Sequence, residues 1–354
     1  MNKEESHAPA LRPAPLVEVR RGEIVESRHR GHIAVVDGDR QLIASLGAAE
    51  TVTYMRSSAK LHQAVPLVAS GAAERFRLTD RELAVACGSH SGEAVHAETV
   101  AGMLTKIGLT ADALKCGVHE PFDRRTAERL RQHGELPNVL QNNCSGKHTG
   151  MLALALHLGA PTETYDHPDN PVQQAILRAI AAFSDVPAAA IAAGVDGCGV
   201  PVYGLSVRSM ALMYARLVAP PPDFDENWRT ACTRLTAAVT AHPEMVGGTV
   251  ERFDTELMRA AEGRLVSKVG AEGVYTAAVL PCREWPRGLG VAFKIEDGED
   301  RRARPTVAVE TLRQLRVLRD GALEAMRPYS RFPVRNHRGD LVGEIRPDFV
   351  LEGI

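Results

Sequence analysis

Strand-forming patterns lie at both ends of this 354-residue chain, and they enclose a long middle that is predicted to be helical. Near the N-terminus, residues 17–19 and 24–26 flank Arg21-Gly22, which is typical of a hairpin. A second hairpin is predicted where residues 33–36 face residues 41–44 across an Asp-Gly-Asp turn. The chain is therefore expected to open with antiparallel strands.

Strand patterns return near the C-terminus at residues 264–269, 274–280 and 290–295, before a helical stretch at residues 306–326. We therefore expect an α+β fold in which a mainly antiparallel sheet, made from N- and C-terminal strands, packs against the helical middle. Residues 15–354 are expected to form one domain, with its helical part at about residues 57–260. Residues 1–14 are expected to be a disordered tail.

Size, charge and composition favour a small-molecule partner. The chain is long enough to bury a large core, and 44% hydrophobic and 24% charged residues are ordinary for a globular protein. A net charge of -2 gives no general attraction to nucleic acid or to anionic membranes. The sequence shows neither a secretory signal nor an apolar run that approaches the roughly 20 residues of a membrane span. We expect a cytoplasmic protein that binds neither nucleic acid nor membrane.

The first polar cluster is Arg56-Ser57-Ser58-Ala59-Lys60. Ser57 and Lys60 are three residues apart, so on a helix they project from one face about one turn apart. A serine becomes a good nucleophile when an adjacent base takes its proton, and lysine can be that base once burial or nearby cations lower its pKa. Because Ser-x-x-Lys is also common at solvated helix starts, this pair alone decides little.

The second polar cluster is Asn142-Asn143-Cys144-Ser145-Gly146-Lys147-His148, which directly precedes a helical run. Its Gly-Lys pair suggests a phosphate-binding loop. Such a loop requires glycine five positions before the last glycine and serine or threonine after the lysine. The chain has Gln141 and His148 at these positions, so we set nucleotide binding aside.

The third polar cluster is Gly194-Val195-Asp196-Gly197-Cys198-Gly199. Cys144 and Cys198 with one more donor could hold zinc in a site with an open position. His148 is the conventional third donor, whereas Lys147 is unusual because its ammonium group must first lose a proton. Spacing alone favours the alternative, which is two buried cysteines without a metal. Asp196 suits a substrate ammonium group, although a turn aspartate is an equally good interpretation.

Two further segments complete the candidate catalytic residues. Ser89 lies in the Gly-flanked segment Cys87-Gly88-Ser89-His90-Ser91-Gly92-Glu93, and Lys268 lies in a predicted C-terminal strand. Their ordinary interpretations are a polar connector and an exposed strand lysine. In chain order, Ser-x-x-Lys, Ser-x-Ser and Lys-x-Gly parallel the elements of serine β-lactamases and penicillin-binding proteins, which favours acyl transfer.

Together these clusters resemble those of the class 3, rhizobial-type L-asparaginases. The resemblance spans most of the chain, and the Asn-Asn-Cys-Ser-Gly-Lys-His run is its most specific part. It rests on the three polar clusters, with the second extended through Thr149-Gly150 and the third through Val200-Pro201, and on the Ser89 segment.

The resemblance implies a serine β-lactamase-like fold, a homodimer, and hydrolysis of L-asparagine to L-aspartate and ammonia. The implied catalytic pairs are Ser57 with Lys60 and Ser89 with Lys268. The implied zinc ligands are Cys144, Lys147 and Cys198. The implied substrate contacts are Arg56, His148 and Asp196.

Three alternatives are a glutaminase, a β-lactamase-like acyl hydrolase and a non-catalytic, zinc-dependent amino-acid-binding protein. One methylene separates asparagine from glutamine, which supports discrimination of only about 1 to 3 kcal/mol. A β-lactamase needs to reach cell-wall peptide, for which the sequence offers no export signal. A binding protein would leave both serine-lysine pairs without a role.

Overall fold

The central element of the fold is an antiparallel sheet built from both ends of the chain. The computed structural model describes residues 12–354. Over these residues the strands are β1 (Ala14–Arg21), β2 (Ile24–Asp37), β3 (Leu42–Leu46), β4 (Val52–Tyr54), β5 (Ala192–Val195), β6 (Pro201–Ser206), β7 (Leu265–Val269), β8 (Val274–Val279), β9 (Leu289–Ile295), β10 (Phe332–Arg335) and β11 (Leu341–Pro347).

Most helices come from the middle of the chain. The α-helices in the described part are α1 (Lys60–Ala69), α2 (Ala72–Arg75), α3 (Asp80–Ala86), α4 (Ala94–Lys106), α5 (Arg124–His133), α6 (Ser145–Leu158), α7 (Pro171–Ser184), α8 (Val207–Val218), α9 (Glu226–Ala241), α10 (Pro243–Val246), α11 (Phe253–Ala260), α12 (Ala303–Gln314), α13 (Asp320–Ala325) and α14 (Arg327–Ser330). Short 3-10 turns lie at Arg56–Ala59, Ala111–Ala113, Val139–Gln141, Thr162–Thr164 and Ala188–Ala190. Among residues 12–354, none of the helices has the length and apolar character needed to cross a membrane.

The large sheet joins the two ends of the chain at its centre. Its strands run in the order β10-β11-β1-β2-β9-β8-β7, and β3 pairs with β2. The N-terminal β2 and the C-terminal β9 are antiparallel neighbours, with Ile33 opposite Phe293. The expected α+β fold with a mainly antiparallel sheet from both ends is therefore confirmed.

Both faces of this sheet are buried under helices. Along β2, Ile33 and Val35 belong to one hydrophobic cluster, whereas Ala34 and Val36 belong to the other. This alternation is what the two-residue period of a strand produces when both faces are covered. Helix α8 packs on β2, β8 and β9, while α12 contacts β1, β8 and β11. Most helices of the middle therefore cover one face, whereas α11 and the C-terminal helices cover the other.

The middle of the chain was expected to be mainly helical, but it also contributes strands to a second sheet. Strands β4, β6 and β5 form a small antiparallel sheet in that order. The sequence of β5 is Ala-Ala-Gly-Val, which has low strand propensity and therefore gave no strand signal. The third polar cluster accordingly begins in β5 and continues through the turn between β5 and β6.

Two C-terminal features also differ from the expectation. The helical stretch at 306–326 is divided into α12 and α13, and strands β10 and β11 follow at the sheet edge. Edge strands are short and rich in charged residues, so their pattern is weak. At the other end, Ala14 already belongs to β1, whereas residues 1–11 of the expected tail lie outside the described residues.

Helix α8 lies unusually close to β9 at Gly290. A Cβ atom at this position would lie 1.7 Å from the Ala211 carbonyl oxygen and 2.5 Å from the Ala215 nitrogen. Both atoms belong to helix backbone and cannot rotate away. Glycine is therefore required here for the contact between helix and sheet.

We predict that Gly290→Ala lowers the free energy of unfolding by about 3 kcal/mol, because α8 must move away from the sheet. The matched control is Gly102→Ala in α4, where a Cβ atom meets nothing within 4 Å. That control should stabilise the protein by about 0.5 to 1 kcal/mol, since alanine has the higher helix propensity. Urea denaturation of both variants measures the two effects. Equal stabilities of the two variants would contradict the predicted contact.

Candidate active site

Ser57 lies at the point where the small sheet leads into α1. The 3-10 turn Arg56–Ala59 follows β4 and continues directly into α1. Ser58 is fully buried and donates to the Met55 carbonyl oxygen at 2.7 Å, whereas Ser57 is half-buried and lines a cavity of about 440 Å³. Of the two adjacent hydroxyl groups, the Ser57 hydroxyl is therefore the one placed to meet a ligand.

Lys60 is almost completely buried and contacts two other polar segments. Its Nζ donates to the Gly88 carbonyl oxygen at 2.6 Å, to the Ser89 Oγ at 2.9 Å and to the Asn143 carbonyl oxygen at 3.1 Å. Burial lowers the pKa of Lys60 because removal from water disfavours the charged amine. An amine with a lowered pKa can accept a proton from a serine.

The structure differs from the expected serine-lysine pairs. Lys60 hydrogen-bonds Ser89, and among residues 12–354 the Ser57 hydroxyl has no hydrogen bond. Lys268 in turn donates to the Val269 carbonyl oxygen at 2.8 Å, and its Nζ lies 3.5 Å from Asp254 Oδ2. The structure thus shows a Lys60–Ser89 contact that sequence spacing did not predict, and Lys268 contacts Val269 and Asp254 instead of Ser89.

Lys268 is an inward-facing lysine on β7, contrary to its interpretation as an exposed strand residue. Its side chain is fully buried. Burial lowers the pKa of Lys268 to about 7, although the Asp254 carboxylate opposes part of this shift. At neutral pH such an amine is divided between its charged and neutral forms, which suits a group that transfers protons.

Asp254 was missed in the sequence because it belongs to no motif. It lies near the start of α11 and accepts hydrogen bonds from the Ser267 hydroxyl at 2.7 Å and from the Val269 N–H at 3.1 Å. These bonds fix a buried carboxylate beside Lys268. The pairing depends on the tertiary contact between α11 and β7, which no local sequence signal reveals.

The three expected zinc ligands converge in space. Cys144 precedes the first turn of α6, Lys147 lies within that turn, and Cys198 lies in the turn between β5 and β6. Lys147 Nζ donates to Cys198 Sγ at 2.9 Å. Among residues 12–354, no group of three or more His, Cys, Asp or Glu side chains is arranged to hold a metal ion.

The electrostatics of this cluster favour a thiolate. A hydrogen bond from Cys198 and the positive charges of Lys60 and Lys147 hold the pKa of Cys144 well below its usual value, although burial opposes them. Burial also works against the charge of Lys147, but the two neighbouring thiols outweigh it and raise its pKa. The two cysteine sulfurs are donors that zinc accepts, whereas Lys147 could be a third donor only after losing a proton that its raised pKa holds more tightly.

The three expected substrate contacts occupy different environments. Arg56 Nε donates to Asp196 Oδ1 at 2.8 Å, and Asp196 Oδ2 lies 3.8 Å from Cys198 Sγ. His148 is fully buried, and its Nδ1 lies 2.7 Å from the Tyr165 hydroxyl. Burial, with help from the charges of Lys147 and Lys60, holds the pKa of His148 well below its usual value. His148 is thus neutral and inside the protein, whereas Arg56 and Asp196 are partly accessible.

A comparison with models of protein families shows which family the chain belongs to. The model of the L-asparaginase II family matches residues 17–347. The chain belongs to the L-asparaginase II family. The matched range includes every candidate residue described above, and the resemblance found from the polar clusters is confirmed. Family membership shows an amidohydrolase that acts on a small molecule.

Comparisons with individual proteins find only distant similarity. No curated protein sequence matches the chain. A solved structure of a probable glutaminase from Bacillus subtilis, complexed with 6-diazo-5-oxo-L-norleucine, is 12% identical, with 81% of this chain and 84% of that chain covered and a TM-score of 0.39. A β-lactamase from Burkholderia ambifaria is 16% identical, with 84% and 92% covered and a TM-score of 0.36.

The lowered pKa of Lys268 predicts a pH-dependent contribution to stability. Between about pH 7 and the higher pKa of the unfolded chain, the unfolded state binds more protons, so stability rises with pH. We expect the free energy of unfolding to rise less from pH 7 to 9 in the double variant Lys268→Met, Asp254→Asn than in the unmodified protein. The double variant removes both charges and leaves no unpaired carboxylate. Urea denaturation at three pH values tests this, and parallel curves would contradict it.

Proposed function

We propose that this L-asparaginase II family member hydrolyses L-asparagine to L-aspartate and ammonia. The observation that carries the proposal is the contact between Lys60 and Ser89 beside Ser57, where both serines line one cavity. A nucleophile, a buried amine and a binding space are thereby brought together within a family of amidohydrolases.

In the proposed reaction Ser57 is the nucleophile and Lys60 is the base. Neutral Lys60 takes a proton from Ser57, either directly or by way of Ser89, and the Ser57 oxygen attacks the carboxamide carbon. The C–N bond breaks, ammonia leaves with the transferred proton, and water hydrolyses the acyl-enzyme. Lys268, which the resemblance pairs with Ser89, is proposed to exchange protons in the site, because its pKa of about 7 allows exchange near neutral pH.

Arg56 and Asp196 are proposed to contact the amino-acid end of the substrate. Asp196, which already accepts a charge-assisted hydrogen bond from Arg56 at 2.8 Å, can accept one from the α-ammonium group of the substrate in the same way. His148 is proposed to act in the same region from inside the protein, because it is buried beside Lys147. The cytoplasmic location and the homodimer that the resemblance implies stay predictions.

We further propose zinc at Cys144, Lys147 and Cys198. When bound, zinc would supply a fixed positive charge that orients the substrate and joins the α6 start to the β5–β6 turn. The residues themselves provide the sulfur and amine donors, and Asp196 lies directly beside them. A serine nucleophile is already present, so the proposal does not require a metal-activated water.

We predict that Ser57→Ala lowers ammonia release from L-asparagine by on the order of a thousandfold, because the nucleophile is lost. The control is Ser58→Ala, which removes an adjacent hydroxyl that is buried and bonded to Met55. This control should retain most activity and lose about 1 kcal/mol of stability. Ammonia release from L-glutamine, measured beside it, tests the glutaminase alternative. Activity lost in Ser58→Ala and kept in Ser57→Ala would refute the assignment.

Zinc binding has its own test that does not depend on turnover. After incubation with zinc and removal of excess metal, we expect about one zinc per chain in the unmodified protein and little in Cys198→Ala, which removes one of the proposed ligands. Cys232→Ala is the matched control, because Cys232 is a buried cysteine of α9. Metal content is measured by plasma mass spectrometry. Equal zinc in both variants would exclude the site.

A further inference from the structure

Arg252 is a partly buried cation whose guanidinium, in the described part of the chain, donates hydrogen bonds only to neutral acceptors. It lines the 440 Å³ cavity together with Ser57 and Ser89. Its two terminal nitrogens donate to the Ser91 hydroxyl at 3.0 Å and to the Ser89 carbonyl oxygen at 2.7 Å, both of which are neutral acceptors. Within residues 12–354 its guanidinium forms no ion pair. A guanidinium has five N–H donors, so three remain available.

Asp254 and Glu93 are engaged by other groups, whereas Glu251 lines the cavity as an exposed side chain that forms no ion pair with Arg252. Asp254 accepts from Ser267 and Val269 and faces Lys268. Glu93 accepts the Thr249 N–H at 2.8 Å. A partly buried cation without a carboxylate partner is costly, and a ligand carboxylate would reduce that cost.

Arg304 is a second partly buried arginine that lines the cavity, and it already has a carboxylate partner in Asp300. Arg304 forms an ion pair with Asp300, and Asp300 also accepts the Gly273 N–H at 2.8 Å. Arg252 instead lies over the Phe122 ring, with its Cζ 5.8 Å from the ring centroid. Phe122 lines the same cavity, so the guanidinium is held between the Ser89 loop and an aromatic ring.

We propose that Arg252 anchors a carboxylate-binding subsite in the cavity beside the two serines. This inference rests on the proposed amidohydrolase function and identifies the substrate class as amides that carry a carboxylate. The carboxylate has two possible sources: the α-carboxylate of asparagine, or a carboxylate on the amine that leaves. A cavity of about 440 Å³ has room for either, and Arg56 and Asp196 are not among its lining residues.

In the second case the substrate is a β-aspartyl dipeptide, and the chemistry balances as it does for asparagine. The serine oxygen forms a bond to the β-carbonyl carbon, the C–N bond breaks, and the leaving amino acid takes the proton. Water then hydrolyses the acyl-enzyme to L-aspartate. The leaving amino acid replaces ammonia, and no further reactant is needed.

The test measures binding in the Ser57→Ala background, where turnover is removed. Calorimetry compares L-asparagine with its carboxyl-blocked form L-asparaginamide, and β-aspartylglycine with its C-terminal amide. Adding Arg252→Met should weaken binding of at least one free acid by about tenfold or more and leave its blocked form within about twofold. Weaker binding of L-asparagine but not of L-asparaginamide would show that Arg252 binds the α-carboxylate. Weaker binding of β-aspartylglycine but not of its amide would show that Arg252 binds the carboxylate of the leaving amino acid.

Two further variants separate recognition from folding. Arg301→Met removes an exposed arginine of the same cavity, so it controls for the change in net charge and should have little effect. Arg252→Lys keeps the charge and should restore part of the binding. Equal loss for free and blocked forms in both pairs would overturn the subsite and indicate that Arg252 only holds the Ser89 loop. Failure of the proposed function is seen separately, as no ammonia release by the unmodified protein.

Discussion

The buried amine of Lys60 is the interaction on which the site depends. Its acceptors come from the end of α3, at Gly88 and Ser89, and from the segment before α6, at Asn143. Since an amine without acceptors is costly inside a protein, these segments have to keep their positions relative to α1. The same contacts bring the Ser89 loop and the segment that holds Asn143 and Cys144 to the helix that follows Ser57. One side chain therefore orders polar clusters that are far apart in the sequence.

The interior around Lys60 also contains Lys147 and Lys268, and a cluster of three buried amines requires compensation. Asp254 faces Lys268, and the two cysteine sulfurs face Lys147. The result differs from an ordinary ion-pair network, because sulfur and serine oxygens take the place of most carboxylates. Their effects differ: burial lowers the pKa of Lys60, which donates to neutral oxygens, whereas the cysteine sulfurs raise the pKa of Lys147. Burial of these three amines therefore costs folding free energy, and the same burial shifts the pKa values on which the proposed proton transfers depend.

The polar clusters could be found in the sequence because their residues are close together and chemically unusual. Ser57, Cys144, Lys147 and Cys198 were identified in this way, whereas the sheet formed from both ends of the chain was predicted from its strand patterns. The Lys60–Ser89 contact was missed because spacing within a helix reports only neighbours one turn away, whereas Ser89 arrives from α3. Asp254 and Arg252 were not identified, because their contacts with Lys268 and with the Ser89 loop depend on how α11 packs. The β5 strand was missed because its small residues are defined by pairing with β6 rather than by their own propensity.

Strands β4 and β5 lie on either side of β6 in the small sheet, and each leads into a different part of the site. The chain after β4 enters the turn that holds Ser57, while the chain after β5 enters the turn that holds Asp196 and Cys198. The Arg56–Asp196 ion pair closes the gap between these two turns. Strand β6 pairs with both β4 and β5, so both turns are anchored to one three-stranded sheet. The relative positions of Ser57 and Cys198 therefore depend on the same backbone pairing.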